Sequence, residues 1–205
     1  ADISQTSLNK IHKDALIESF ETITVDGDTS PNDSSLLATN GNPNKKINKG
    51  SSTEKRLSKI ITEVFKELSE FLIEDAEGAS KKITVQINQA KNLAQAKSVA
   101  FTVAESPLVK TAMFGSDANW GRILSAVGRD KLITEIDKVA IKLNNQPLVR
   151  NGFIDPRYSE KLASREMKKK DININISLGL GKRTFTVMTS DLSEDYVLIN
   201  SDYRS

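Results

Sequence analysis

Ile83-Thr84-Val85-Gln86-Ile87, followed two residues later by the run Ala90-Lys91-Asn92-Leu93-Ala94-Gln95-Ala96-Lys97-Ser98-Val99-Ala100-Phe101-Thr102-Val103-Ala104, decides the fold class. The first stretch alternates apolar and polar side chains, the period of a half-buried strand. The second places Ala90, Ala94, Ala96, Ala100 and Ala104 along a helical run whose small side chains permit close packing. Pro107 stops that helix, because proline removes a backbone donor and clashes with the preceding turn. A strand that hands over to a helix in this way points to a chain in which the two alternate.

Working outward, the pattern repeats. Leu57, Ile60, Ile61, Val64, Leu68, Phe71 and Leu72 follow the i, i+3, i+4, i+7 spacing of an amphipathic helix. Ser51 and Glu54 have capping-box spacing at its start, and Gly78 suits its C-terminal stop. Upstream, Leu8, Ile11, Leu16 and Phe20 predict a helix over 7–20. Ile23 and Val25 begin a short strand that ends in the turn-rich run Asp26–Asp33. Asn40 to Ser52 reads as an exposed, mobile loop.

Downstream, strands are expected at Leu108–Phe114, Val139–Leu143, Asn145–Arg150, Asp171–Leu178, Lys182–Thr189 and Tyr196–Asn200. A short helix to about Val127 and another over Ser159–Lys169 lie between them. The class is therefore α/β (α+β), with a domain boundary near 103–106 that gives domains 1–104 and 105–205.

Composition excludes whole classes of chemistry. Among 205 residues there is no cysteine and one histidine. Disulfides, thiolate zinc sites, thiol nucleophiles and paired-histidine metal sites are thereby removed. His12 falls off the apolar stripe of its helix, so it is expected to be solvated rather than part of a triad. With 29 basic and 27 acidic residues the net charge is +2, which gives no support to nucleic-acid binding or a polybasic membrane surface. No run of 18 apolar residues exists to span a membrane. The start has no basic and apolar leader pattern, so an intracellular location is expected.

Three local patterns invite chemical readings. Gly179-Leu180-Gly181-Lys182-Arg183-Thr184 fits neither phosphate-loop pattern, because Ile176 and Thr184 stand where glycines are needed. A hairpin turn between two strands is the expectation there. Asp26, Asp28, Asn32 and Asp33 do not follow calcium-loop spacing, since Pro31 and Leu37 occupy the glycine and glutamate positions. Glu74, Asp75 and Glu77 cluster where the long helix ends, against its macrodipole and without evident compensation. Such a broken local rule marks a candidate site, one suited to an ammonium-bearing ligand. The alternative is a solvated acidic helix end.

Four blocks together carry a family resemblance. Phe20 to Asp33 resembles an "ITVDGDTSTND" signature, and Glu77-Gly78-Ala79-Ser80-Lys81 resembles "EGATK". Ser106 to Gly115, continued by Asp117, Asn119, Trp120, Gly121 and Arg122, resembles "SPLVKTAxFGxDxNWGR". Asp191-Leu192, Asp195-Tyr196-Val197 and Ile199 to Ser205 resemble "DLTYDYVxINADYRT". On these residues the chain resembles the β chain of the ornithine acetyltransferases, the bifunctional glutamate N-acetyltransferase (ArgJ) family.

The resemblance implies an Ntn-hydrolase-like αββα core shared with an α chain of the same precursor, and an α2β2 assembly. It implies transfer of an acetyl group from N-acetylornithine to glutamate in arginine biosynthesis, through an acetyl-threonine at the start of the β chain. It implies no resident cofactor, acetyl-CoA being a further co-substrate of some members. A cytoplasmic location follows, or a mitochondrial matrix in a fungus. No residue here matches the nucleophilic threonine, since the sequence begins at Ala1, downstream of the family's "TML" segment; the chain by itself is expected to be inactive. The substrate-binding residues implied are Glu77, Asn200 and Ser205, with Glu77 pairing with the ornithine ammonium. Asp28, Thr29, Asn32, Lys110, Asp117, Asn119 and Arg122 match the motifs and are expected mostly to shape loops or the α/β interface. Two other readings remain open on the sequence, an Ntn-type aminopeptidase and a non-catalytic ligand-binding subunit.

Overall fold

The computed structural model describes residues 1–202, and the chain divides into two compact units, residues 1–23 with 28–72 and residues 24–27 with 73 onward. The division differs from the boundary expected near 103–106, because strands from both sides of that point share one sheet.

The first unit is helical. Helix α1 (Gln5–Ile17) opens on Ser4, whose hydroxyl accepts the Ser7 amide at 3.2 Å and satisfies an otherwise unpaired donor. It buries Leu8, Ile11 and Ala15. Helix α2 (Ser52–Glu74) begins as its capping spacing predicts: Ser51 Oγ accepts from Glu54 N at 3.1 Å, while the Glu54 carboxylate accepts from Gly50 N at 2.5 Å. Phe65 of α2 is met edge-on by the rings of His12 and Phe20. His12 is half-buried and shares a 3.0 Å hydrogen bond with Ser35, so the solvated reading of that residue gives way to a packed one. The expected strand at Ile23 and Val25 is instead a 3-10 turn (Phe20–Thr22) followed by a single bridge residue. Within the polar loop, β2 (Lys46–Ile47) pairs in parallel with β1 (Asp2–Ile3).

The second unit is a six-stranded mixed sheet. Its strands are β3 (Lys82–Ala90), β4 (Ala140–Leu143), β5 (Gln146–Arg150), β6 (Phe153–Ile154), β7 (Asp171–Ser177) and β8 (Arg183–Ser190), in the order β6-β5-β4-β7-β3-β8. β3 pairs in parallel with β7, placing Val85 beside Ile174, and antiparallel with β8, placing Val85 beside Val187. One face of these strands buries Ile83, Val85, Ile87, Ile172, Ile174, Ile176 and Val187. Helix α3 (Leu93–Ala104) lies on that face and contributes Ala96, Val99, Ala100 and Val103. The small side chains do what the sequence suggests, bringing the helix close to the sheet. The α/β (α+β) class expected from the sequence is the class observed.

Three expected elements change identity. Leu108–Phe114 is helical, as α4 (Pro107–Phe114): Pro107 does not merely end α3 but occupies the first turn of the next helix, where its missing N–H costs nothing. Tyr196–Asn200 lies within α7 (Glu194–Asp202) rather than a strand. Gly179–Gly181 is not a hairpin, since β7 and β8 flank β3 on opposite sides. The loop passes over the end of β3, where Leu180 N and Gly181 N both donate to Gln89 O at 2.8 Å. A Cβ at Gly181 would sit 2.4 Å from Ala90 O, so only glycine fits this crossing. The remaining helices are α5 (Trp120–Arg129) and α6 (Glu160–Met167). Among the described residues no helix is long and apolar enough to cross a membrane.

Candidate functional site

Glu77 lies in the turn that joins α2 to β3, and Asn200 lies near the end of α7. Separated by 123 positions in sequence, they meet: Asn200 Nδ2 donates to Glu77 Oε2 at 3.0 Å. The same amide nitrogen donates to Tyr196 O at 3.0 Å, so both of its protons are engaged within the protein. Both side chains are exposed. Ser205, the third residue expected here, lies outside the described residues.

The turn can hold Glu77 in place because Gly78 follows it. Gly78 has φ +66°, and a Cβ there would fall 2.4 Å from Tyr196 N and 2.7 Å from Ser193 Oγ. Ser193 joins the two segments: its hydroxyl donates to Gly78 O at 2.6 Å and accepts from Tyr196 N at 3.1 Å, capping α7. Beyond Gly78, the Asp191 carboxylate accepts from Ser80 N at 2.8 Å, from Lys81 N at 3.0 Å and from the Ser80 hydroxyl. Tyr196 Oη donates to Asp26 Oδ2 at 2.8 Å, tying α7 to the first of the signature blocks.

Charge around the turn is arranged unevenly. Glu74, read in the sequence as an uncompensated charge, is compensated: Lys82 Nζ lies 2.7 Å from it and 3.2 Å from Asp171. Glu77 has no such cation among the described residues and meets only a neutral amide. Of the acidic cluster, Glu74 is thus the one with a cationic partner, and Glu77 is the one held by a side chain of α7. A cavity of 310 Å3 borders the same turn, lined by Ala79, Ser80, Lys81 and Lys82 but not by Glu77, and one of 360 Å3 lies elsewhere in this unit. Among the described residues no cluster of His, Asp and Glu side chains is placed to hold a metal ion.

The remaining motif residues divide by role. Asn119 caps α5 by accepting from Arg122 N at 3.1 Å, and Asp117 orients it by accepting from its amide at 3.0 Å. Arg122 donates to Leu108 O at 3.0 Å, joining α5 to α4. Asn32 and Asp33 both donate backbone N–H groups to Ser30 Oγ at 3.2 Å, forming an exposed turn. Asp28 and Thr29 precede it in the same exposed run. Lys81 donates to Met113 O and, at 2.8 Å, to Ser116 Oγ, and burial lowers its pKa against the pull of the Asp191 carboxylate.

Lys110 is the residue whose setting the sequence did not reveal. It is 2% exposed, and its Nζ donates to Thr189 Oγ1 at 2.9 Å and to Ser190 O. Burial pushes its pKa down to about 8, opposed by the carboxylates of Asp191, Asp26 and Glu105. A lysine in an otherwise apolar helix start gives no periodic signal of burial; only its place in the motif block hinted at a role.

A comparison with protein families matches the ArgJ family over residues 1–205. The chain belongs to the ArgJ family. It is 41% identical over 212 residues to the arginine biosynthesis bifunctional protein ArgJ of Bradyrhizobium diazoefficiens and 42% identical over 206 residues to that of Desulfotalea psychrophila. Each alignment takes in all of this chain but 51% and 52% of those proteins, so the chain spans about half the length of the curated relatives it matches. A crystal structure of the arginine biosynthesis bifunctional protein argJ from Bacillus halodurans superposes with a TM-score of 0.91 at 30% identity, covering 99% of this chain and 96% of that one. This ArgJ-family chain therefore shares its fold over essentially all of its length with a solved ArgJ chain.

Proposed function

We propose that this chain is the β subunit of an acetyltransferase that moves acetyl from N-acetylornithine to glutamate in arginine biosynthesis. Its own contribution is recognition of the amino-acid substrate. The observation that carries this reading is the Asn200–Glu77 hydrogen bond, which unites two residues that the family resemblance implies for substrate binding. The near-complete mutual coverage with the Bacillus halodurans chain, set against half-coverage of the curated relatives, supports a protein that works as two chains. The partner is an α chain of the same precursor, assembled as α2β2, in the cytoplasm.

The chemistry follows from what the turn offers. The Glu77 carboxylate takes the ornithine ammonium, and Asn200 holds that carboxylate while presenting its carbonyl oxygen to the same ligand. Ser205 adds a hydroxyl. A threonine hydroxyl preceding this stretch attacks the acetyl carbonyl; the C–N bond breaks and the hydroxyl proton passes to the departing ornithine amine. The glutamate amine then attacks the acetyl ester, restoring the hydroxyl. Holding the acceptor amine in place is what favours transfer over hydrolysis.

Co-expressed with an α chain and the preceding threonine segment, the protein is expected to convert N-acetylornithine and glutamate to ornithine and N-acetylglutamate. Glu77→Gln should raise KM for N-acetylornithine by roughly 10–100-fold, the loss of a charge-assisted contact. Unchanged kinetics would remove Glu77 from the site. Amide hydrolysis without acetyl transfer would replace the transferase reading with an aminopeptidase one.

A further inference from the structure

Glu77 stands on a turn held by more hydrogen bonds than a chain reversal needs, and most of them converge on one short segment, Asp191-Leu192-Ser193. Asp191 is 3% exposed, and both its carboxylate oxygens are engaged by Ser80 and Lys81. Ser193 grips Gly78 and starts α7. Helix α7 carries Asn200 back to Glu77. The contacts form a closed ring: turn 77–81, segment 191–193, helix α7, and the turn again. Asp191 itself touches neither Glu77 nor Asn200 in this ring.

We infer that Asp191 is a positioning residue, whose buried carboxylate fixes the turn at Ser80 and Lys81 so that the Glu77 carboxylate stands opposite Asn200. The inference rests on the proposed role of that pair in recognising substrate. A buried carboxylate is a costly anchor unless its oxygens are satisfied, and a well-packed apolar residue is often at least as stabilising. What a carboxylate adds is direction: three donors from one turn meet two oxygens in one plane. Lys110 supports the arrangement from behind, with its ammonium on Ser190 O, the residue before Asp191. The chain thus places a buried cation and a buried anion at the end of β8 (Arg183–Ser190), where the turn is clamped.

The test uses the assembled enzyme, this chain with its α chain and threonine segment. Asp191→Asn keeps one acceptor oxygen and loses the charge. It is expected to raise KM for N-acetylornithine about tenfold while kcat stays within about twofold. Combined with Glu77→Gln it should add less than about threefold to the effect of Glu77→Gln alone, because both variants fail through the same carboxylate. Hydrogen exchange at the Ser80 and Lys81 amides should quicken about tenfold in Asp191→Asn. If that variant does not assemble, Ser80→Ala removes the hydroxyl link alone and should raise KM about threefold. Single effects that multiply in the double variant, or an unchanged KM in a variant whose amides exchange faster, would overturn the inference. Unchanged exchange would show that Asp191 clamps nothing. A wild-type assembly that transfers no acetyl group would instead remove the proposed function and leave the exchange result standing.

Discussion

In the second unit β3, β7 and α3 bury Ile83, Val85, Ile174, Val99 and Val103 to 1% exposure or less, whereas α2 in the first unit leaves Ile60, Val64 and Leu68 close to half exposed and Phe71 and Leu72 slightly more than half. Both regions show clear apolar periodicity in the sequence. The difference lies in what each has to lie against. The second unit brings six strands and a small-residue helix, enough to close a core on its own residues. The first brings two helices and a pair of two-residue strands. Periodicity reports that an element has an apolar face; it does not report whether the chain supplies a layer to cover it.

Core truncation is the largest effect and the sharpest way to break this comparison. Ile174→Ala removes a fully buried side chain from the middle of β7, and is expected to cost about 2–5 kcal/mol in urea-induced unfolding followed by circular dichroism. A cost below about 1 kcal/mol would mean the sheet side is loosely packed, and the contrast between the units would collapse.

The same distinction explains how much could be read in advance. Helix α2 and strands β3, β7 and β8 were legible because their periods are long and unbroken. Helix α4 is hidden because a proline after a helical run reads as a stop, although Ser106-Pro107 is equally a start. Helix α7 was missed because Tyr196-Val197-Leu198-Ile199 is a short apolar run, ambiguous between helix and strand, and its cap is Ser193, which makes sense only once Gly78 is beside it. The β7–β8 loop resembled a hairpin because sequence gives strand order along the chain, not across the sheet. At the site, the charge argument singled out Glu74, Asp75 and Glu77 together. Lys82, eight residues past Glu74, then neutralises one of them, a contact set by the turn and invisible in the local pattern. Glu77 and Asn200 stand out in the sequence only through the family resemblance, and their meeting is tertiary. Lys110 and Asp191 carried no local signal, because a buried charge is recognisable only by the partners that surround it.

Buried charge gives the next effect in size, and it too belongs to the second unit. The Lys110 ammonium, held near Thr189, Ser190, Asp191, Asp26 and Glu105, has a pKa of about 8 in the folded chain against 10.5 unfolded. Below pH 8 both states carry the proton, and the cost of burying the charge is fully present. Between pH 8 and 10.5 the unfolded chain binds more protons than the folded one, so this group makes stability rise with pH. Lys110→Met removes the titration. The stability of the wild type relative to this variant should therefore improve by roughly 3 kcal/mol across that window. A difference that stays flat from pH 8 to 10.5 would mean that the ammonium is hydrated and that the end of β8 is more open than the packed sheet beside it.

The smallest expected effect probes the other side of the comparison. Leu68→Ala on α2 (Ser52–Glu74) removes a side chain that is 46% exposed, so about half of its transfer free energy is already forgone. No sealed cavity forms, because the side chain borders solvent, and the cavity term that inflates core truncations is absent. Alanine also has a slightly better helix propensity than leucine, which offsets part of the loss. Together these terms give a cost below about 1 kcal/mol, several-fold less than for Ile174→Ala in the same unfolding measurement. Equal costs at the two positions would show that the α2 stripe is packed as tightly as the sheet. A small cost at Leu68 beside a large one at Ile174 would confirm that the chain closes one core by itself and leaves the apolar face of its longest helix half open to solvent.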